Sequence, residues 1–155
     1  MCNLSNIRTA AVDRVATATL AVETRGASLT EITREAREFL ALAEAGDGVL
    51  VVYVRHTSAS LTIQENADPD VRTDLATALR RLAPENAGWV HDTEGPDDMP
   101  SHIKTMLTDV SVSIPVTDGE PAFGAWQGLY LIEHRTHPHR REVVFQFIGS
   151  RRDGR

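Results

Sequence analysis

The chain has 155 residues, 41% hydrophobic and 25% charged, the balance of an ordinary soluble globular domain rather than a disordered or fibrous one. Sixteen basic against 22 acidic side chains give a net charge of −6, which removes the counterion-release drive behind nucleic-acid binding. Cys2 is the single cysteine, so no intramolecular disulfide can form, and no apolar run approaches the roughly 20 residues of a membrane span. These features predict one domain over residues 1–155 in a reducing cytoplasm, with no membrane or nucleic-acid partner and a basic tail from about residue 150.

RVATATLAVE (Arg14 to Glu23) alternates with period two and predicts a half-exposed strand. Ser28 and Glu31 stand in capping-box spacing. Ile32, Ala36, Phe39, Leu40 and Ala43 then recur at helical intervals until Gly46, which predicts a first helix. GVLVVYV (Gly48 to Val54) reads as a strand buried on both faces. Asp68 and Pro69 open a second helix, with an apolar stripe of Val71, Leu75, Leu79 and Leu82, and Pro84 closes it. Glu85 to Ser101 reads as a long irregular segment of the kind that is often functional. Asp109 to Val116, Gly124 to His134 and Arg141 to Gly149 read as strands. This order favours an α+β fold with mostly antiparallel sheet. Two helices cannot cover both faces of a wide sheet, so a second sheet or a neighbouring subunit is required.

Histidine carries most of the candidate chemistry. His56 and His134 fall at strand ends, His91 and His102 in the long irregular region, and His137 and His139 in an arginine-rich turn. Imidazoles from separate elements fit a metal site with an open position, although their spacing matches no compact metal signature, and each could equally satisfy an internal hydrogen bond. Between Leu82 and Ile103 lie five acids and no Lys or Arg, and the prolines of EGPDDMP restrict the backbone around Asp97 and Asp98. Such a segment can complete or orient a metal site or be a solvated acidic loop. Hydroxyls and amides from Ser58 and Ser60 to Asn66 can bind phosphate or cap a turn. No G-x-S-x-G, P-loop or G-x-G-x-x-G pattern occurs. Lys104, the only lysine, follows His102 by two residues.

HTSASLTIQENADPDVRTDL (from His56), HDTEGPDDMPSHIKTML (from His91), IPV (from Ile114) and WQGLYLIEHR (from Trp126) together resemble the YjbQ family, also called the secondary thiamine-phosphate synthase family. The resemblance spans nearly the whole chain and implies a YjbQ-like β-sandwich with two helices, assembled as a homotrimer. It implies metal ligation by His91, His102 and His134, with His56, Asp98, Glu133 and Arg135 nearby. It also implies a secondary thiamine-phosphate synthase activity, the condensation of hydroxymethylpyrimidine diphosphate with a thiazole phosphate. In that reading Lys104 and Arg135 assist electrostatically, and Ser58, Ser60 and Asn66 position the phosphorylated substrate. The cofactor would be a divalent metal, zinc from the imidazole donors or magnesium from the diphosphate. Thr93, Ala125 and the turn THPHRR depart from the family pattern. The alternative is a non-catalytic trimer that binds a metal or a small anion.

Overall fold

The computed structural model describes residues 2–152. In chain order the elements are β1 (Arg14–Glu23), β2 (Ser28–Glu31), α1 (Thr33–Leu42), β3 (Ala45–Val54), β4 (Ala59–Glu65), α2 (Pro69–Leu82), α3 (Asp98–Leu107), β5 (Ser111–Thr117), β6 (Glu120–Pro121), β7 (Gln127–Glu133) and β8 (Arg140–Arg151). They form a five-stranded sheet of order β1-β8-β3-β5-β6 and a three-stranded sheet of order β2-β7-β4. Every strand pairing is antiparallel.

Period-two alternation builds the core between the sheets. Leu50, Val52 and Val54 of β3 and Val143, Phe145 and Phe147 of β8 meet Ala59 and Leu61 of β4 and Leu129 and Leu131 of β7, with Ala36, Phe39 and Leu40 of α1 in the same cluster. The other face of the three-stranded sheet carries Ser60, Tyr130 and Ile132, all buried. Helices α2 and α3 pack against each other, α3 touches β4, and Arg72 of α2 stands over the Tyr130 ring. No helix among the described residues is long and apolar enough to cross a membrane.

Several expectations change. Ser28 and Glu31 do not cap a helix. They lie in β2, paired with β7 from Ser28↔Glu133 to Glu31↔Tyr130, because a sheet ladder satisfies four residues where a capping box satisfies two donors. Helix α1 begins after Ile32 with no side-chain cap. The run Gly48 to Val54 is buried on one face only: Leu50 and Val52 are inaccessible, whereas Tyr53 is 47% exposed. Among the described residues there are three helices rather than two, and α3 rises out of the segment expected to be irregular. Asp98 in its first turn and the early Pro100 are helix-start signals that an acidic, proline-rich stretch obscures. Strand β4 likewise lies inside the stretch read only as a hydroxyl cluster.

Candidate metal centre and the polar end of the sandwich

Two polar assemblies occupy one end of the sandwich. At the first, α3 presents Asp98 and His102 one turn apart, and the loop before it returns His91 to them. Trp89 Nε1 donates to the Pro84 carbonyl at 2.9 Å, and the turn before α3 closes at Gly95, whose φ of +104° suits glycine alone. His91 Nε2 then lies 2.8 Å and His102 Nε2 3.4 Å from Asp98 Oδ2. His91, Asp98 and His102 place one ligand atom each within 4.8 Å of one another. Asp98 is 2% exposed, while His91 opens to solvent.

The proton inventory explains why this group suits a cation. His102 Nδ1 is 3.0 Å from the Thr57 carbonyl, which can only accept, so Nδ1 carries a proton, and in the neutral tautomer this leaves, Nε2 directs its lone pair at the carboxylate. A lone pair facing an anion is unfavourable unless a cation lies between them. A divalent ion among His91 Nε2, His102 Nε2 and Asp98 Oδ2 would give all three donors a partner. The Thr57 carbonyl would then be the outer contact that fixes a ligating imidazole. Arg135 performs the same task for Asp98. Its guanidinium contacts Asp98 Oδ1, reaches Asp97 Oδ2 at 3.2 Å and donates to the Glu94 carbonyl at 2.7 Å. Burial acts to raise the pKa of Asp97, but hydrogen bonds from the Thr136 amide and hydroxyl and from Arg135 outweigh it and hold the group below the usual carboxylate range.

The second assembly surrounds Glu133, His134 and Arg141. Alternation turns Glu133 toward the space between the sheets, where inward-facing Arg141 of β8 binds it through two contacts of 2.6 Å. The Thr24 hydroxyl and the Arg135 backbone amide each donate to Glu133 at 2.9 Å. Burial again works against ionisation, and these donors prevail, so the Glu133 pKa is lowered. His134 faces the opposite way. Its Nε2 meets Ser60 Oγ at 2.8 Å, Ser60 meets Thr108 Oγ1 at 2.7 Å, and Thr108 reaches the Lys104 carbonyl at 2.7 Å. Since that carbonyl must accept, one arrangement gives every contact a proton: His134 Nε2–H to Ser60, Ser60 to Thr108, and Thr108 to the carbonyl. Burial, with the nearby Lys104 charge, pushes the His134 pKa down to about 4. Lys104 is 8% exposed, makes no hydrogen bond or ion pair through its ammonium among the described residues, and has its pKa lowered by burial.

The structure therefore unites two of the three expected ligands, His91 and His102, and puts Asp98 beside them, while His134 is engaged with Ser60 outside the cluster. Of the expected substrate residues, Ser58 and Ser60 lie at this end. Asn66 follows the opposite end of β4, its amide bonded to the Trp126 carbonyl at 3.0 Å. His137 and His139 stay in the loop between β7 and β8, where His139 Nδ1 meets the His137 carbonyl at 2.9 Å. Arg141 was missed. An arginine sharing a strand face with Val143, Phe145 and Phe147 has to meet a buried acid, and that signal was readable in the alternation.

A family model described as UPF0047 protein YjbQ-like matches residues 18–150. A UPF0047 protein of Synechocystis is 46% identical over 132 residues, covering 84% of this chain and 90% of the relative. The UPF0047 protein YjbQ of Salmonella typhimurium is 44% identical, covering 86% of this chain and 96% of its own length. Among solved structures, a YjbQ/UPF0047 family protein from Clostridium acetobutylicum is 31% identical with a TM-score of 0.77, covering 84% of this chain and 98% of that one.

Proposed function

Because the chain belongs to the YjbQ-like UPF0047 family, we propose that it is a cytoplasmic, homotrimeric, metal-assisted enzyme acting on small phosphorylated molecules, with the metal held by His91, Asp98 and His102. The observation that carries this reading is the convergence of two imidazole nitrogens on one buried carboxylate, with the Thr57 carbonyl and Arg135 holding two of the three from behind. Two imidazoles and one carboxylate favour zinc or a similar transition ion over magnesium. When bound, such an ion supplies Lewis-acid stabilisation of charge developing on a phosphate oxygen. Asp98 and His102 are held in position for it, and Arg135 is committed to orienting Asp98 rather than to substrate. Lys104 contributes positive potential near Asp97 and His134. The reaction proposed is the one the family resemblance implies, formation of thiamine phosphate with release of pyrophosphate.

One observation favours the alternative of a binding protein. Both oxygens of Glu133 are occupied by Arg141, Thr24 and the Arg135 amide, so the acid at the end of β7 is not free to act as a base. Metal analysis of purified protein, combined with a thiamine-phosphate assay with and without chelator, separates the two. The enzyme reading expects about one metal per chain and chelator-sensitive product, both lost in His102→Ala and Asp98→Asn. Metal without product under these conditions leaves the binding protein. No metal in any preparation defeats the metal-assisted enzyme and leaves only the anion-binding form of the alternative.

A further inference from the structure

A cleft of about 520 Å³ lies next to the candidate metal centre, lined by Tyr53, Arg55, His56, Thr57, Ser58 and Arg141. It shares Tyr53, His56 and Thr57 with an adjoining cleft of about 510 Å³ whose wall includes His102 and Met106. Thr57 therefore belongs to both features: its carbonyl holds His102, and its residue lines the cleft.

A donor count along this wall is one-sided. His56 Nε2 accepts from the Glu142 backbone amide at 2.9 Å, so the proton of the neutral ring is on Nδ1, which has no partner among the described residues. Burial, helped by the Arg141 charge, lowers the His56 pKa and keeps the ring neutral near pH 7. Arg141 is 4% exposed. It spends Nε and Nη2 on Glu133 and Ser58, leaving Nη1 without a partner among the described residues. Ser58 Oγ accepts from Arg141 Nη2 at 3.0 Å, and its own proton has no acceptor among the described residues. Arg55 at the rim is 3.5 Å from Glu142, which balances its charge. Three side chains thus bring spare N–H and O–H donors to one cleft. The two nearby carboxylates, Glu133 and Glu142, are already paired with arginines.

We propose that this cleft is an oxyanion subsite that takes the phosphoryl or carboxylate group of a small metabolite and sets the rest of the molecule toward the metal centre. A tetrahedral or planar oxyanion accepts from all three donors at once, and buried Arg141 is held for it by its pair with Glu133. The adjoining cleft, with Met106 and Val110 on its wall, gives the body of the same molecule an apolar seat beside His102. The inference names the substrate class for the function proposed above and rests on that reading for its role, but not for the binding itself.

The test is a titration of the full chain with inorganic phosphate and, separately, with acetate, followed by amide chemical shifts, on protein as purified and after chelation. Saturable binding is expected. Ser58→Ala and His56→Phe should each weaken it about tenfold to a hundredfold, the worth of one hydrogen bond to a charged group. Thr17→Ala on the distant strand β1 should leave it unchanged. Tighter binding of phosphate assigns a phosphoryl group, and tighter binding of acetate assigns a carboxylate. Indifference to both Ser58→Ala and His56→Phe in variants with unaltered spectra overturns the subsite, as does the absence of saturation by either anion. Anion binding abolished by chelation alone also overturns it, because the anion then sits on the metal, and the metal reading survives. Variant-sensitive binding to protein that holds no metal as purified keeps the subsite and removes the metal reading.

Discussion

His134 and His102 show how one residue type takes two roles from its surroundings. His134 is 3% exposed and engaged with Ser60, so protonating it in the fold is costly. Its folded pKa of about 4 lies below the ordinary 6.5. The unfolded chain therefore binds more protons between these values, and the stability this group contributes is complete above about pH 6.5 and lost as pH falls toward 4. Urea denaturation should show about 2 kcal/mol less stability at pH 5 than at pH 7 from His134, and His134→Gln should flatten that slope. A slope unchanged in the variant would remove His134 as its source. At Glu133 the buried pair dictates the outcome. Glu133→Gln leaves Arg141 charged and unmatched between the sheets and should cost about 3 kcal/mol in the same measurement. The residue types of this end were legible in the sequence. Which histidine keeps a free nitrogen was not, because that depends on a carbonyl or hydroxyl brought from elsewhere in the chain.

Elements read well where a local pattern had one outcome. Strand β1 runs from Arg14 to Glu23 as the alternation predicts, and α2 opens at Pro69 with Asp68 Oδ1 accepting from the Asp70 amide at 2.9 Å. Asp68→Ala should lower stability by about 1 kcal/mol and reduce the melting temperature accordingly, since the first-turn amide loses its acceptor. Gly48 and Gly149 face each other across β3 and β8, and a Cβ on Gly149 would stand 2.8 Å from Gly48 Cα and 2.6 Å from the Phe147 ring. Gly149→Ala should destabilise by about 1–3 kcal/mol, read as a shifted midpoint in urea without a changed slope. Elements failed to read where two local outcomes compete. Ser28 to Glu31 fits a cap or a strand, and pairing with β7 decides; Asp98 to Leu107 fits a loop or a helix, and packing on β4 decides.

At the scale of the molecule, the two sheets share a closed core, but α2 has no buried residue, and Leu82, Trp126 and Tyr53 are 66%, 66% and 47% exposed. Large apolar side chains left open in a single chain fit the proposed homotrimer. Light scattering coupled to size exclusion should return about three times the 17.0 kDa chain mass, and a monomer at micromolar concentration would reject that assembly. By itself the sequence determined the α+β class, the positions of most strands and two helices, and the residues His56, His91, Asp98, His102, Glu133 and Arg135 as the polar end to watch. The class and the elements follow from periodicity, and the histidines and Asp98 from residue chemistry, which are local, whereas Glu133 and Arg135 enter only through the resemblance to the YjbQ family. Only the tertiary structure brought Asp98 together with His91 and His102, matched Arg141 to Glu133, and set three spare donors along one cleft. Each of these is a contact between segments separated along the chain, set by sheet register and helix packing that no short stretch of sequence contains.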